Sequence, residues 1–215
     1  MNDVLVSYQG GQFGDWLRYF IAQHDGFEKF KDVQTKPIPE RNDPVFPNFS
    51  FENMNKISLH RWNTLEEFKS QLIESNLRQV YKPTAWAHNI AHNPENYYND
   101  NVDWKYYNIV RQTNMSIIFV SLDPLSELFE VYLKRQTQYT TGNILSEEDF
   151  RDSCYKSYIH KEFPKHELNH VVRIDQLAEY NEEEYAKLTK FLKMKPLGNW
   201  KHYVKQLDLV KDPSK

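Results

Sequence analysis

The amino-acid sequence predicts a three-layer α/β/α fold around a mainly parallel sheet, and three observations carry that expectation. A short β-rich run from Asp3 to Tyr8 leads directly into a glycine loop and then an amphipathic segment, the order strand, loop, helix. The run from Met115 to Ser121, MSIIFVS, has the near-continuous apolar character of a strand covered on both faces. Along the rest of the chain, strand-like runs alternate with capped helical segments, the grammar of parallel α/β architecture. With 215 residues, 40% of them apolar, the chain supports one core and is thin for two, so residues 1–215 read as a single domain.

The elements follow in order. Asp15 serves as N-cap or first-turn acid of a helix, WLRYFIAQH, with Trp16, Leu17, Phe20 and Ile21 on its apolar face. Residues 25–55 carry Pro37, Pro39, Pro44 and Pro47 and read as an irregular excursion or lid without a long regular element. Ile57 to His60 reads as a short strand. Thr64 then caps a helix, LEEFKSQLIESNL, with Glu67 at the capping-box position. Gln79 to Tyr81 and Thr84 to His88 form a second core strand interrupted by Pro83, and a helix from Asp103 to Gln112 precedes the MSIIFVS strand. Asp123-Pro124 opens the helix LSELFEVYLKRQTQ, and another helix runs from Ser146 towards His160. Val171 to Ile174 is a late strand. Asn181 caps the helix EEEYAKLTKFLKM, which Pro196 and Gly198 terminate.

Composition narrows the function. A formal charge of −3 without any block of like charges argues against a general nucleic-acid clamp or a polybasic membrane patch. Cys154 is the sole cysteine, which excludes an intrachain disulfide and a cysteine-rich zinc site and fits a reducing, cytoplasmic setting. No apolar run approaches the length of a membrane span or signal peptide. The aromatic residues, 15% of the chain, come without a basic stripe and read as core and cleft lining.

Glycine is scarce, yet Gly10, Gly11 and Gly14 make up half of the 6 glycines. A loop between a first strand and a first helix is where α/β sheets hold anions, and glycine lets backbone N–H groups approach one closely. Gly10, Gly11, Gln12, Phe13, Gly14 and Asp15 are therefore candidate binding residues, with a plain tight turn as the alternative. The loop lacks the Lys-Ser/Thr ending of G-x-x-x-x-G-K-[ST] and the spacing of G-x-G-x-x-G, which argues against an ATPase or an NAD enzyme.

Three segments together resemble the sulfotransferase family. VLVSYQGGQFGDWLRYFI is similar to that family's 5′-phosphosulfate loop, with Trp16-Leu17 in the matching place. MSIIFVSLDPLSELFEVYL resembles its 3′-phosphate strand and helix, and VVRIDQLAEYNEEEYAKLTKFLKM its late strand, acidic turn and helix. The resemblance implies a P-loop-like fold and transfer of a sulfuryl group from 3′-phosphoadenosine-5′-phosphosulfate (PAPS), as co-substrate, to a hydroxyl or amine of a small-molecule or glycan acceptor. It departs in three places: the loop has no lysine, Leu122 stands at the position of the 3′-phosphate arginine, and Glu130 at that of the serine. Arg18 and Arg111 are the cofactor-binding replacements expected, with Lys82, Lys134 and Arg135 as further candidates. His88 in KPTAWAHN falls near the family's histidine base, a residue type whose titration near neutrality suits taking the acceptor's proton, while Trp86, Asn89 and His92 would shape the acceptor pocket.

His88 and His92 also have the i, i+4 spacing of zinc ligands, but position 89 is not Glu, Pro94 follows and no third ligand is marked, so no metal is expected. His160, His166 and His170 read as surface histidines, and Cys154 lacks a neighbouring histidine to activate it. Two other functions stay open. One is a sugar-nucleotide glycosyltransferase holding a diphosphate in the glycine loop. The other is a non-catalytic binding or assembly protein, as a homo-oligomer with the loop at its interface.

Overall fold

The computed structural model describes residues 2–8, 13–30, 34–36, 48–50, 58–60, 62–83, 104–132, 148 and 163–211. Its centre is a five-stranded sheet made of β1 (Val4–Ser7), β4 (Ser58–Leu59), β5 (Val80–Pro83), β6 (Ser116–Ser121) and β7 (Asn169–Arg173), in the order β4-β5-β1-β6-β7. Every pairing in it is parallel, with Val4 opposite both Val80 and Ser116 and Ser7 opposite Phe119. The architecture is the predicted three-layer α/β/α fold. Val4, Leu5, Val6, Ile117 and Ile118 are fully buried, which is why both strands read as apolar without alternation.

The strand order positions the site. After β1 the sheet's next strand, β4, takes the outer place, β5 returns beside β1, and the chain then crosses to β6 and β7. In the dinucleotide-binding and flavodoxin-like orders the second strand lies directly beside the first. The connection after β1 leads to one side of the sheet and that after β6 to the other, which makes the carboxyl ends of β1 and β6 a topological switch point.

Two aromatic assemblies lie in the helical layers. In one, α1 (Gly14–Ala22), α5 (Glu182–Leu192) and α6 (Trp200–Lys211) meet through Phe20, Tyr185 and Tyr203, with Trp16 stacked on Phe20 at 5.2 Å. In the other, Trp62 packs on Phe68 of α2 (Leu65–Lys69) and on Tyr106 of α3 (Trp104–Val110), and Tyr107 lies against Phe119. A short helix, α4 (Ile174–Ala178), follows β7 directly.

Local signals explain most of the boundaries. Glu67 N–H donates to Thr64 Oγ1 at 3.1 Å, and Glu184 N–H to Asn181 Oδ1 at 3.0 Å, so both predicted caps form. The predicted helix after Thr64 is nevertheless shorter: α2 ends at Lys69 because Phe68 is its only buried side chain, and the Ile73 N–H is drawn to Tyr81 Oη at 2.7 Å. Pro83 closes β5 rather than interrupting it, opposite Leu59 of the outer strand, a place where a missing N–H is tolerated. The helix expected from Asp123-Pro124 begins later, at 127–132, because the Phe129 N–H donates to Ser126 Oγ. Ile174 belongs to α4 instead of the late strand, and α5 stops at Leu192, where Lys193 turns left-handed (φ 53°) ahead of Pro196 and Gly198. Helix α6 has no counterpart in the sequence reading. Within the predicted excursion at 25–55, β2 (Gln34–Lys36) and β3 (Asn48–Ser50) pair antiparallel. Thr84 to His88 and, except for a helical Glu148, the helix expected at 146–160 lie outside the described residues.

Candidate functional site

The loop between β1 and α1 leaves the carboxyl edge of the central strand, the place where open α/β sheets bind ligands. Gln9, Gly10, Gly11 and Gln12 lie outside the described residues, as do Trp86, His88, Asn89, His92, Lys134, Arg135, Cys154 and His160. Around the loop, Tyr8 continues from the end of β1, Phe13 takes the N-cap position of α1, and Gly14 begins the helix. Phe13 is left-handed (φ 61°) and its side chain supplies no cap to the first turn. The left-handed backbone therefore falls on a phenylalanine.

Gly14 is required for a different reason. A Cβ placed there would lie 2.0–2.4 Å from three atoms of the Tyr8 ring, which rests against the start of α1. Tyr8 Oη is enclosed beside Asp15 and Arg18 without a well-formed hydrogen bond, and burial together with the Asp15 charge pushes its pKa up, so it stays protonated.

One helical turn on, Arg18 Nη1 donates to Asp15 Oδ1 at 2.7 Å, while Lys82 Nζ reaches both Asp15 oxygens at 3.2 Å. The Arg18 side chain is fully buried and also meets Val80 O through Nε and Nη2 at 3.4 and 3.3 Å. Lys82 comes from the carboxyl half of β5, the strand beside β1. Burial by itself would raise the Asp15 pKa, but Arg18 and Lys82 outweigh it and hold the carboxyl below its ordinary value. Burial, aided by Arg18, lowers Lys82, and Asp15 opposes that shift. Among the described residues, Arg18 and Lys82 share the Asp15 carboxylate at the start of α1.

Of the candidates among the described residues, the structure brings Phe13, Gly14, Asp15, Arg18 and Lys82 to this edge but not Trp16 or Arg111. Trp16 is buried and points into the core, its Nε1–H donating to Tyr203 O at 3.2 Å. Arg111 stands at the opposite, amino-terminal edge, where its Nη2 donates to Met115 O at 2.6 Å just before β6, and its guanidinium also meets His166 Nδ1 and the Tyr107 ring. Leu122 is core. The sequence reading did not single out Tyr8, although the last residue before a loop at the carboxyl edge is a ligand-facing position that could have marked it.

A second ion cluster occupies the other half of the carboxyl edge. Arg173 Nη2 donates to Asp123 Oδ2 and Asp175 Oδ2, each at 2.9 Å, and the Asp123 N–H donates to Asp175 Oδ1 at 3.0 Å. Glu184 Oε1 accepts from the Arg173 N–H at 2.8 Å. These contacts tie together the ends of β6 and β7 and the start of α5. A cleft of about 620 Å³ opens at the amino-terminal edge instead, lined by Asn2, Asp3, Asn76, Leu77, Arg78 and Asn114 among others. Arg78 there is spent on Asn2 O, Leu192 O and the Phe27 ring.

Among the described residues no cluster of three or more His, Cys, Asp or Glu side chains is placed to hold a metal ion, and no helix is long and apolar enough to cross a membrane. The architecture is one that many nucleotide- and substrate-binding enzymes share. No protein-family model matches the chain, and no curated protein or solved structure is significantly similar to it.

Proposed function

We propose that the chain is a sulfotransferase-like enzyme that binds an anionic donor, PAPS, at the carboxyl edge of β1 and passes its sulfuryl group to a hydroxyl or amine acceptor. The observation that carries this reading is the Arg18–Asp15–Lys82 cluster, two cations brought to the first turn of α1 at the sheet's switch point. The strand order, unlike that of dinucleotide-binding sheets, supports it further. In this reading Lys82 takes the part of the missing loop lysine, since it is the less buried of the two cations and ends in a mobile ammonium. The acceptor oxygen or nitrogen attacks sulfur, the bond from sulfur to the 5′-phosphate oxygen breaks, the acceptor proton goes to His88, and Lys82 meets the charge left on the phosphate. Such a reaction asks for positioning and charge stabilisation.

A second reading rests on the same cluster. Asp15 already engages both cations, which suits a binding or assembly protein that keeps the fold without the reaction. Thermal shift with 3′-phosphoadenosine 5′-phosphate, set against ATP, NAD and nucleotide sugars, separates these. At 100 times its Kd a ligand adds ~2.7 kcal/mol, a rise in Tm of roughly 5 to 10 °C. A selective rise that Lys82→Met removes supports the enzyme. A rise with nucleotide sugars alone points to a glycosyltransferase, and no rise with any nucleotide leaves the scaffold.

A further inference from the structure

We infer that the cleft at the amino-terminal edge of the sheet is a binding site for a neutral, hydroxyl-rich ligand, a saccharide. It lies at the end of the sheet opposite the Arg18–Asp15–Lys82 cluster and does not depend on how that cluster is read. Four separate stretches of chain build it: the start of β1, the turn after α1, the segment between α2 and β5, and the turn before β6. Hydrogen bonds pin them together. The Ser116 N–H donates to Asp3 O at 2.9 Å, the Arg78 N–H to Gly26 O at 3.0 Å, and the Gln79 N–H to Asp3 Oδ1 at 2.8 Å. Within the two later stretches, the Leu77 N–H donates to Ser75 Oγ at 3.1 Å and the Met115 N–H to Thr113 Oγ1 at 3.2 Å. The cleft is thereby preformed, and its volume of about 620 Å³ falls within the range of small-molecule sites, roughly 300–1,000 Å³.

The lining selects the ligand. Asp3 and Arg78 are the only charged side chains among the described residues that line the cleft, and each acts on the other's charge. Arg78 is fixed in the wall by Asn2 O, Leu192 O and the Phe27 ring, so its charge stays there and offsets that of Asp3. A ligand with a net charge gains little from such a pair. What the wall leaves open is hydrogen-bonding capacity of both kinds. The side-chain amides of Asn2, Asn76 and Asn114, and Asp3 Oδ2, have no partner among the described residues. Burial raises the Asp3 pKa in spite of the Gln79 N–H and Arg78, the mark of a carboxylate short of donors. A primary amide both donates and accepts, as a hydroxyl does, so adjacent hydroxyls of one sugar ring match a carboxylate and amides together. Leu72 and Leu77, the latter 41% exposed, add apolar surface for the C–H face of such a ring.

Saturation-transfer NMR and calorimetry on the full chain test this with the methyl glycosides of glucose, galactose and N-acetylglucosamine and with maltose. Glucuronate, glucosamine and an N-acetylated dipeptide amide are the comparison probes. The variants are Asn76→Ala, Asn114→Ala and Asp3→Asn. Asn76 and Asn114 are exposed, so truncating them leaves the fold intact, and Asp3→Asn keeps an oxygen for the Gln79 N–H. The expected result is a neutral saccharide bound with a millimolar or tighter Kd, weakened about fivefold by each amide truncation and about tenfold by Asp3→Asn. A nucleotide response at the carboxyl edge is unchanged in the two asparagine variants, and its absence beside saccharide binding removes the PAPS reading and keeps this one. Saccharide binding that none of the three variants weakens overturns the site. Glucuronate or glucosamine bound as tightly as the neutral sugars overturns the neutral class, and preferred binding of the dipeptide amide overturns the saccharide. No binding of any probe at tens of millimolar overturns the inference as a whole.

Discussion

The two halves of the carboxyl edge use the same ingredients with opposite sign. Among the described residues, one carboxylate is shared by two cations beside β1 and β5, whereas beside β6 and β7 Asp123 and Asp175 share one guanidinium and Glu184 accepts from the Arg173 backbone N–H. Their placement differs as well. The positive cluster lies at the foot of the glycine loop, whereas the negative one binds strand end to helix start and leaves its groups occupied. A charged cluster on a sheet edge thus means different things according to what it has left to offer, and the two clusters respond differently to mutation.

Removing Asp15 has the largest effect. Asp15→Ala leaves Arg18 buried without its carboxylate, and breaking a buried pair from one side costs ~3 kcal/mol, a fall in Tm of roughly 6 to 12 °C. Sulfate added to that variant restores part of the Tm if the edge is an anion site; an unchanged Tm in sulfate breaks the comparison. Gly14→Ala comes next. Its Cβ meets the Tyr8 ring and destabilises the fold by ~2 kcal/mol, a loss that shrinks to a few tenths of a kcal/mol in a Tyr8→Ala background. A double-mutant cycle in denaturant measures it, and additive losses would separate Tyr8 from Gly14.

On the other side, Asp175→Ala removes an acceptor that is 2% exposed and serves both the Asp123 N–H and Arg173. The cost is ~1.5 kcal/mol because Arg173 is exposed enough to be hydrated in its place, and anion binding is unchanged. Weaker sulfate binding in this variant would show that the halves act as one site.

Acid sharpens the contrast further. The Asp15 pKa is lowered in the fold, so its contribution is complete above the ordinary value of 3.8 and disappears as pH falls through the lowered value; Asp15→Asn removes that acid limb. His24 acts earlier in the descent. It is fully buried, with Nδ1 near Phe20 O and Ile21 O and Nε2 at 3.0 Å from Tyr185 Oη, and burial lowers its pKa. A neutral buried histidine stabilises the fold fully above the ordinary 6.5, and that contribution declines as pH falls from there towards the lowered value. The denaturation midpoint should begin to fall below about pH 6.5 in wild type and less so in His24→Gln, with sulfate affinity following neither change. A loss of affinity tracking His24 would link the core to the edge.

Much of the fold was legible in the sequence because local chemistry and tertiary placement agreed. Thr64 and Asn181 announced helix starts that depend only on an oxygen three residues from an N–H, and the apolar runs of β1 and β6 announced burial on both faces. The reading went astray where a distant partner set the local structure. Tyr81 Oη drew the Ile73 N–H away from a longer α2, and α6 is held through its Tyr203 by Trp16 and Phe20 from the other end of the chain.

The candidate site divides in the same way. The sequence by itself determined that a glycine loop follows a first strand and that Asp15 enters the first turn of α1, because both depend on residues within a few positions. Only the tertiary structure decided which cations belong with them. It moved Lys82 to the loop through parallel pairing of β5 with β1, and it left Arg111 at the far edge. It also laid the Tyr8 ring over Gly14. Electrostatic and steric forces act over ångströms in space, and a linear spacing does not contain that distance until the strand order is fixed.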